Sequence, residues 1–304
     1  MQFQRSSQSD SSMRDNPKFI PVVLLLSLSL IWGTSFILIK QGLKVFAPQE
    51  LGALRVLAAA LFLLPFAVTR IKELNKGDHL KLFISGLLAI FFPAFLFAIA
   101  QTHLDSSLAG ILNTLSPLWT MIVGAAFFSQ RFKGFAIVGI LVSFAGTILL
   151  ALSRSGGGLG GFNAYALLVV LACALYGTNL NLVKFKIHNL GSMTITSVSL
   201  LLISPLAVVY LFGFTEFTTK MSVHPDAWRA FGFVVLLALM STAVANLIFN
   251  KLLRISTPLF ASSVTYIMPI VAVMWGVLDG EQLLIGHFIG MAAILGGVYL
   301  ANRK

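Results

Sequence analysis

Residues 21–40 read PVVLLLSLSLIWGTSFILIK, a run that carries no charge before Lys40. A helix of roughly 20 apolar residues spans the hydrocarbon core of a bilayer, which is about 30 Å thick. Nine comparable runs follow, and each is continuously apolar, unlike the alternating strands of a membrane β-barrel. The predicted spans are residues 21–40, 48–69, 80–101, 106–128, 134–153, 162–184, 191–213, 228–250, 257–278 and 284–302. The pattern predicts an all-α integral membrane protein with ten transmembrane helices.

The composition of the 304-residue chain excludes other classes of protein. Charged residues make up 10% of the chain and hydrophobic residues 58%, whereas soluble domains are about 25% charged. The mean hydropathy of +0.93 excludes a disordered chain. Cys173 is the one cysteine, which excludes a disulfide scaffold.

The basic residues predict the orientation of the chain. There are 21 Lys and Arg residues against 10 Asp and Glu, a net charge of +11. With a cytoplasmic N-terminus, 15 of the basic residues fall on the inner side of the predicted membrane and five on the outer side, in agreement with the positive-inside rule. We therefore expect a multi-pass protein of the cytoplasmic membrane with both termini inside, and no nucleic-acid partner. The polar, Ser-rich residues 1–18 are predicted to be a disordered cytoplasmic tail before an uncleaved first helix.

The two halves of the chain resemble each other in the same order across five spans. The matches are Trp32–Thr34 with Tyr176–Thr178, Pro65 with Pro205, Pro117 with Pro269, and Gly139 and Gly146 with Gly290 and Gly297. We predict a first repeat at residues 19–155 and a second at residues 160–304. Because five is odd, the second repeat enters the membrane from the opposite side. Inverted repeats are a recurring basis of alternating-access transporters with a midplane substrate site, although a channel could be built in the same way.

These residues are similar to the pattern of the EamA family of the drug/metabolite transporter superfamily. The resemblance is carried by Ser29–Phe36, Leu54-Arg55 with Ala58, Ser107–Pro117, Ala261–Pro269 and Asp279-Gly280-Glu281. It implies ten helices in two inverted five-helix repeats, and export or exchange of small metabolites, with amino acids among the substrates. The family's acidic residue after the Pro-containing helix is present as Glu281, but the first repeat has Gln130 at that position.

Motifs of enzymes are absent from the sequence. There is no HExxH, no Walker-type Gly-Lys-Ser/Thr and no GxSxG, and no two histidines have metal-ligand spacing. The glycines of residues 156–161 lack the Lys-Ser/Thr of a phosphate loop and are read as a flexible linker. We predict no catalytic residues, no metal and no cofactor.

Polar residues inside the spans are the candidates for a substrate cavity, because amide and hydroxyl groups are costly against lipid. These candidates are Trp32, Thr34, Arg55, Gln101, Asn113, Ser116, Tyr176, Asn179, Asn246, Ser262 and Tyr266. Interhelical hydrogen bonding is the alternative role for each of them. Pro117 and Pro269 remove backbone hydrogen bonds at matched positions, which indicates either a pair of hinges or two static kinks.

Arg55 is the one charge deep within a predicted span. A guanidinium pairs bidentately with a carboxylate, so Arg55 could anchor an anionic group. Alternatively, it could extend to the membrane interface or bind backbone carbonyls of a neighbouring helix.

Carboxylates avoid the middle of every predicted span, with Asp279 and Glu281 at a helix end. This favours facilitated export or exchange of a small polar or amphipathic metabolite over proton-coupled efflux. A lipid flippase and a structural membrane subunit are further alternatives. The expected partners are a small-molecule substrate and the lipid bilayer, with the protein a monomer or a homodimer.

Overall fold

The computed structural model describes residues 19–130, 134–152, 163–256, 261 and 264–301, and these residues form helices with no β-strand. The predicted tail at residues 1–18, the glycine-rich linker at residues 156–161 and Ser262 lie outside the described residues. The helices are α1 (Phe19–Gly42), α2 (Pro48–Arg70), α3 (Lys76–Ala100), α4 (Ser106–Phe128), α5 (Gly134–Leu152), α6 (Ala166–Lys186), α7 (Ser192–Gly213), α8 (Ala227–Ile255), α9 (Val264–Leu278) and α10 (Ile285–Ala301). A short helix, Phe217–Val223, connects α7 to α8.

Seven of the described helices are long and apolar enough to cross a bilayer, namely α1 to α4 and α6 to α8. Shorter apolar segments, Ile137–Leu149, Ile267–Leu278 and Ile285–Gly297, lie in α5, α9 and α10. Large hydrophobic side chains such as Leu30 and Ile137 are more than half exposed, which is typical of a surface that faces lipid. The all-helical membrane architecture is confirmed, and the count of ten spans stays a prediction.

Helices from the two halves of the chain pack against each other. Extensive contacts join α5 to α10, α2 to α7, α4 to α6, α1 to α8, α3 to α6 and α1 to α9. Gly33 of α1 allows close contact with α9, because an added Cβ would lie 2.5 Å from the Cβ of Val271. Gly177 of α6 does the same against α4, where an added Cβ would lie 2.6 Å from the backbone nitrogen of Thr120. The matched Trp-Gly-Thr and Tyr-Gly-Thr segments thus serve equivalent helix contacts.

Three helices depart from regular α-helical geometry near their centres. Helix α3 contains a π-helical segment at Leu87–Phe91 and α8 another at Ala238–Val244. In α3 the Phe92 N–H donates to the Leu87 carbonyl, five residues back. Pro93 follows directly and has no N–H to donate to the previous turn. Helix α4 tightens to a 3₁₀ turn at Asn113–Leu115, just before Pro117.

Candidate functional site

A cavity of about 510 Å³ lies between helices of both halves of the chain. Helices α1 to α4 and α6 to α9 all contribute lining residues. The lining continues to one end of the bundle, where Gln130, Lys184, His188 and Arg254 lie. We call this end the cavity mouth.

Most of the predicted site residues line this cavity. They are Trp32, Arg55, Asn113, Ser116, Tyr176, Asn179 and Asn246, together with the predicted hinge Pro117. The second predicted hinge, Pro269, is buried in α9 outside the lining. Ser262 lies outside the described residues, and the structure describes only the backbone of Tyr266.

Thr34 and Gln101 were expected at the cavity, and the structure places both elsewhere. Thr34 accepts a hydrogen bond of 3.0 Å from Trp275 Nε1 of α9, because it lies two residues from Trp32 and so points to a different side of α1. Gln101 follows the last turn of α3 and is 7% exposed, and its side-chain amide has no hydrogen-bond partner among the described residues. Thr34 therefore contributes to helix packing.

The Arg55 side chain lines the cavity, and its Nε donates a 2.7 Å hydrogen bond to Thr242 Oγ1 in the π-helical segment of α8. Tyr176 of α6 lines the same cavity. Arg55 therefore lies at the cavity surface and binds a side-chain hydroxyl, and it makes no hydrogen bond to a backbone carbonyl of the described residues.

Aromatic rings form an apolar wall beside this polar group. The Phe36 and Phe97 rings meet edge to face with centroids 5.7 Å apart, and Phe97 stacks on Tyr176 at 6.3 Å. Trp32 is fixed by a 3.0 Å hydrogen bond from its Nε1 to the Ser241 carbonyl. The cavity is therefore amphipathic.

Two small hydroxyl residues of the cavity, Ser85 and Ser199, were missed by the sequence analysis. Ser85 Oγ donates to Asn179 Oδ1 at 2.7 Å. The Ser199 hydroxyl is buried and lacks a hydrogen-bond partner within the described part of the chain. Single serines in apolar runs are common, and no spacing pattern distinguishes these two from packing residues.

The opposite end of the bundle is held by the Glu281 carboxylate, which lies between α9 and α10. Its Oε1 accepts hydrogen bonds from the backbone N–H and hydroxyl of Ser106, at 3.0 and 2.6 Å, and its Oε2 accepts the same pair from Ser107, at 3.1 and 2.6 Å. Lys40 Nζ at the end of α1 lies 2.8 Å from Glu281 Oε1 and 2.7 Å from Asp279 Oδ2. The carboxylate thus joins α1, the first turn of α4 and the α9–α10 connection.

The ionisation of Glu281 follows from these contacts. Burial alone would raise the pKa of Glu281, but the hydrogen bonds from Lys40, Ser106 and Ser107 outweigh it and lower the pKa to about 2. Asp105, directly before α4, has a raised pKa because of its burial and the nearby charge of Glu281. Glu281 is therefore a fixed negative charge at neutral pH.

A second buried carboxylate, Glu50, stabilises the same end of the bundle. Its Oε2 accepts a 2.7 Å hydrogen bond from the Ala47 N–H before α2 and lies 2.8 Å from Lys220 Nζ of the short helix. Neither Glu50 nor Glu281 lines the cavity. We call this end, with its two Lys–Glu pairs, the sealed end.

A membrane protein of packed helices with an amphipathic cavity, sealed at one end, has the architecture of a membrane transporter. The chain belongs to the EamA-like transporter family, whose model matches residues 19–152 and again residues 163–303. It is a transporter and not an enzyme.

Similar proteins agree with this assignment. The chain is 27% identical over 287 residues to the "Uncharacterized inner membrane transporter YedA" of Escherichia coli K12, covering 91% of this chain and 89% of the relative. It is 25% identical over 284 residues to the "Probable amino-acid metabolite efflux pump" of the same strain, covering 91% and 93%. A solved crystal structure has the same fold, with a TM-score of 0.62 at 19% identity over 92% of this chain and 96% of the other.

Proposed function

We propose that this protein is a ten-helix secondary transporter of the cytoplasmic membrane. It exports or exchanges a small polar or amphipathic metabolite, an amino acid or a related compound, by alternating access. The observation that carries this proposal is the cavity of about 510 Å³, which has lining from both halves of the chain and whose described lining extends to the cavity mouth. A volume in this range fits a small metabolite.

Helix packing supports two inverted repeats at residues 19–155 and 160–304. If each helix is exchanged for its counterpart five positions along, the contact of α1 with α9 becomes that of α6 with α4. The contacts of α2 with α7 and of α5 with α10 exchange into themselves. Two separate matches to the family model support the same division.

The charge distribution supports cytoplasmic termini and a mouth that faces the cytoplasm. Arg70, Lys76, Lys184 and Arg254 lie at helix ends on the mouth side. By the positive-inside rule this end is cytoplasmic, which makes the described conformation inward-open.

Alternation requires the sealed end to open while the mouth closes. Pro117 and Pro269 are the proposed hinges, and the π-helical segments of α3 and α8 supply two further deformable points in the cavity wall.

Flux measurements on purified protein in liposomes test the proposal. We expect export of at least one labelled compound from a panel of amino acids and related metabolites. Ala89→Phe adds a ring to the cavity lining and should block this flux, whereas Leu167→Phe adds a ring to an exposed surface of α6 and should not. If no compound of the panel moves, or if Ala89→Phe transports normally, the proposal fails.

Proton-coupled efflux is the second candidate, and the carboxylates at the sealed end are its natural carriers. The pKa of Glu281, lowered to about 2, argues against proton exchange near neutral pH in the described conformation. Flux that depends on a pH gradient in the wild type, and loses that dependence in Glu281→Gln with Asp279→Asn, would favour proton coupling.

A further inference from the structure

We propose that the cavity selects organic monoanions, namely a carboxylate on an apolar or aromatic body, over the zwitterionic amino acids of the same carbon frame. This inference rests on the proposed transport function and names the substrate class of the same cavity.

The first argument is the charge of the lining. The lining residues that the structure describes include Arg55, Lys184, His188 and Arg254, but no Asp or Glu. The mouth therefore attracts anions, and the interior holds one fixed positive charge without an acidic neighbour in the lining.

The second argument is the state of the Arg55 guanidinium. A guanidinium has five N–H donors, and within the described residues Arg55 makes one hydrogen bond, from Nε to Thr242 Oγ1. Its Nη groups are left for a ligand, and a carboxylate matches their planar geometry. The buried Ser199 hydroxyl, which lacks a partner among the described residues, is a further donor in the cavity wall.

The third argument concerns the ammonium group of an amino acid, which would need acceptor oxygens in the same cavity. Among the described lining residues there is no carboxylate to pair with it, so the ammonium would depend on neutral amide and hydroxyl oxygens, two of which already accept a hydrogen bond. Asn179 Oδ1 accepts from Ser85 at 2.7 Å, and Asn113 Oδ1 accepts from Ser116 at 3.2 Å. An ammonium brought close to Arg55 would be repelled and poorly solvated.

The fourth argument is the position of the apolar wall. The Phe36, Phe97 and Tyr176 rings are joined by an edge-to-face and a stacked contact, and they line the cavity together with Arg55. A ligand with its carboxylate on Arg55 thus places an apolar body against these rings.

Binding to purified protein, measured by calorimetric titration, tests the inference on two matched carbon frames. The aromatic series is 3-phenylpropanoate, phenylalanine and phenethylamine, and the aliphatic series is 4-methylpentanoate, leucine and 3-methylbutylamine. Within each frame the members differ in charge, as anion, zwitterion and cation. We expect the anion of at least one frame to bind at least tenfold more tightly than its zwitterion, and the cation to bind more weakly than either.

Variants of Arg55 then assign the preference to its side chain. Arg55→Gln should raise the Kd of the anion about tenfold to a hundredfold, which is the loss expected for hydrogen bonds to a charged group. The Kd for Arg55→Lys should lie between those of the wild type and Arg55→Gln. Arg229→Gln, which removes an exposed arginine near Phe233, is the matched control and should leave the Kd unchanged. If Arg55→Gln does not fold, the ranking of the three charge types on the wild type decides the question alone.

The outcomes separate this inference from the transport function. Equal or tighter binding of the zwitterion or the cation overturns the inference, as does an Arg55→Gln variant with an unchanged Kd for the anion. Flux of other metabolites in liposomes, with no binding of either anion, also overturns it and leaves the transport function standing. Absence of flux for every compound of the liposome panel overturns the transport function itself.

Discussion

Replacement of Glu281 by Gln should destabilise the sealed end of the bundle at neutral pH. The substitution keeps the size of the side chain but removes its negative charge. The amide oxygen can still accept hydrogen bonds. The NH₂ group, however, replaces the carboxylate oxygen that accepts from the Ser107 N–H and hydroxyl, so two donors would face a third donor. Lys40 also loses one of its two carboxylate partners.

The lowered pKa of Glu281 gives the size of this effect. Each pKa unit is worth about 1.4 kcal/mol, so a change from 4.5 to about 2 corresponds to about 3 kcal/mol at most. Lys40 and Asp279 are 30% and 25% exposed, and solvent screening at such a site reduces the loss to about 2 kcal/mol. At a few degrees per kcal/mol for a chain of this size, the unfolding midpoint should fall by about 5 °C.

The dependence on pH has a definite sign. Because the folded-state pKa lies below the ordinary value, the stabilisation is complete above pH 4.5 and is lost as the pH falls from 4.5 toward 2. The midpoint of the wild type should therefore approach that of Glu281→Gln in this range. Lys40, Asp279, Asp105 and His287 are the other titratable groups near this site.

Cys173 provides the assay. It is the one cysteine of the chain and is fully buried, so a thiol-reactive dye reports unfolding without an added label. Glu216→Gln, at an exposed position, is the control and should leave the midpoint unchanged. If Glu281→Gln unfolds at the wild-type temperature at pH 7, the hydrogen-bonded carboxylate does not stabilise this end. The same conclusion follows if the difference in unfolding midpoint between the variant and the wild type is unchanged at the lowest accessible pH.

Four further substitutions, one of them a control, test helix packing with the same assay. Gly177→Ala should destabilise the protein by about 1–3 kcal/mol, because the new methyl group meets the α4 backbone. Gly232→Ala is the control: it has open space around it and should be neutral or stabilising by up to about 1 kcal/mol. Equal unfolding midpoints for the two variants would contradict the close contact between α6 and α4. Thr34→Val should cost about 1 kcal/mol of stability, because it removes the acceptor of the Trp275 indole N–H. It should leave substrate affinity unchanged. A changed affinity would mean that Thr34 contributes to the substrate cavity. Gln101→Leu should raise the midpoint, since the buried amide has no partner among the described residues; a lower midpoint would mean that the amide is satisfied in the folded protein.

The sequence predicted the helices well, because the thickness of the bilayer sets the length of a spanning helix. That length is visible in the sequence as a continuous apolar run. The second predicted span, 48–69, corresponds to Pro48–Arg70, and the last, 284–302, to Ile285–Ala301. The π-helical segments were not predicted, since their residues are as apolar as those of regular helix. Helix periodicity also does not distinguish a polar side chain that faces a cavity from one that faces a neighbouring helix. The pattern therefore assigned the same expected role to Trp32, which lines the cavity, and to Thr34, which binds Trp275 of α9.

Partners far apart in sequence were beyond sequence reasoning. Arg55 was singled out because it is a charge within an apolar run, but its contact with Thr242 crosses 187 positions of the chain. Glu281 was noted at a helix end, yet its role depends on Ser106 and Ser107, which precede it by 175 and 174 positions. Only the packing of α4 against α9 brings these groups together.

The π-helical segments of α3 and α8 also bear on how chains of this kind diverge. A π-helical turn accommodates one residue more than the α-helix around it, so it marks the place where a single-residue insertion or deletion can be absorbed. Deleting Ala89 would let α3 return to regular pitch while the helix beyond it keeps its orientation. The same deletion in a regular turn would rotate everything beyond it by about 100° and turn Phe97 away from the Tyr176 ring. Gaps of one codon at Leu87–Phe91 or Ala238–Val244 would therefore change the cavity wall locally and leave the faces of the flanking helix in place, without changing the length of the membrane crossing by more than one residue.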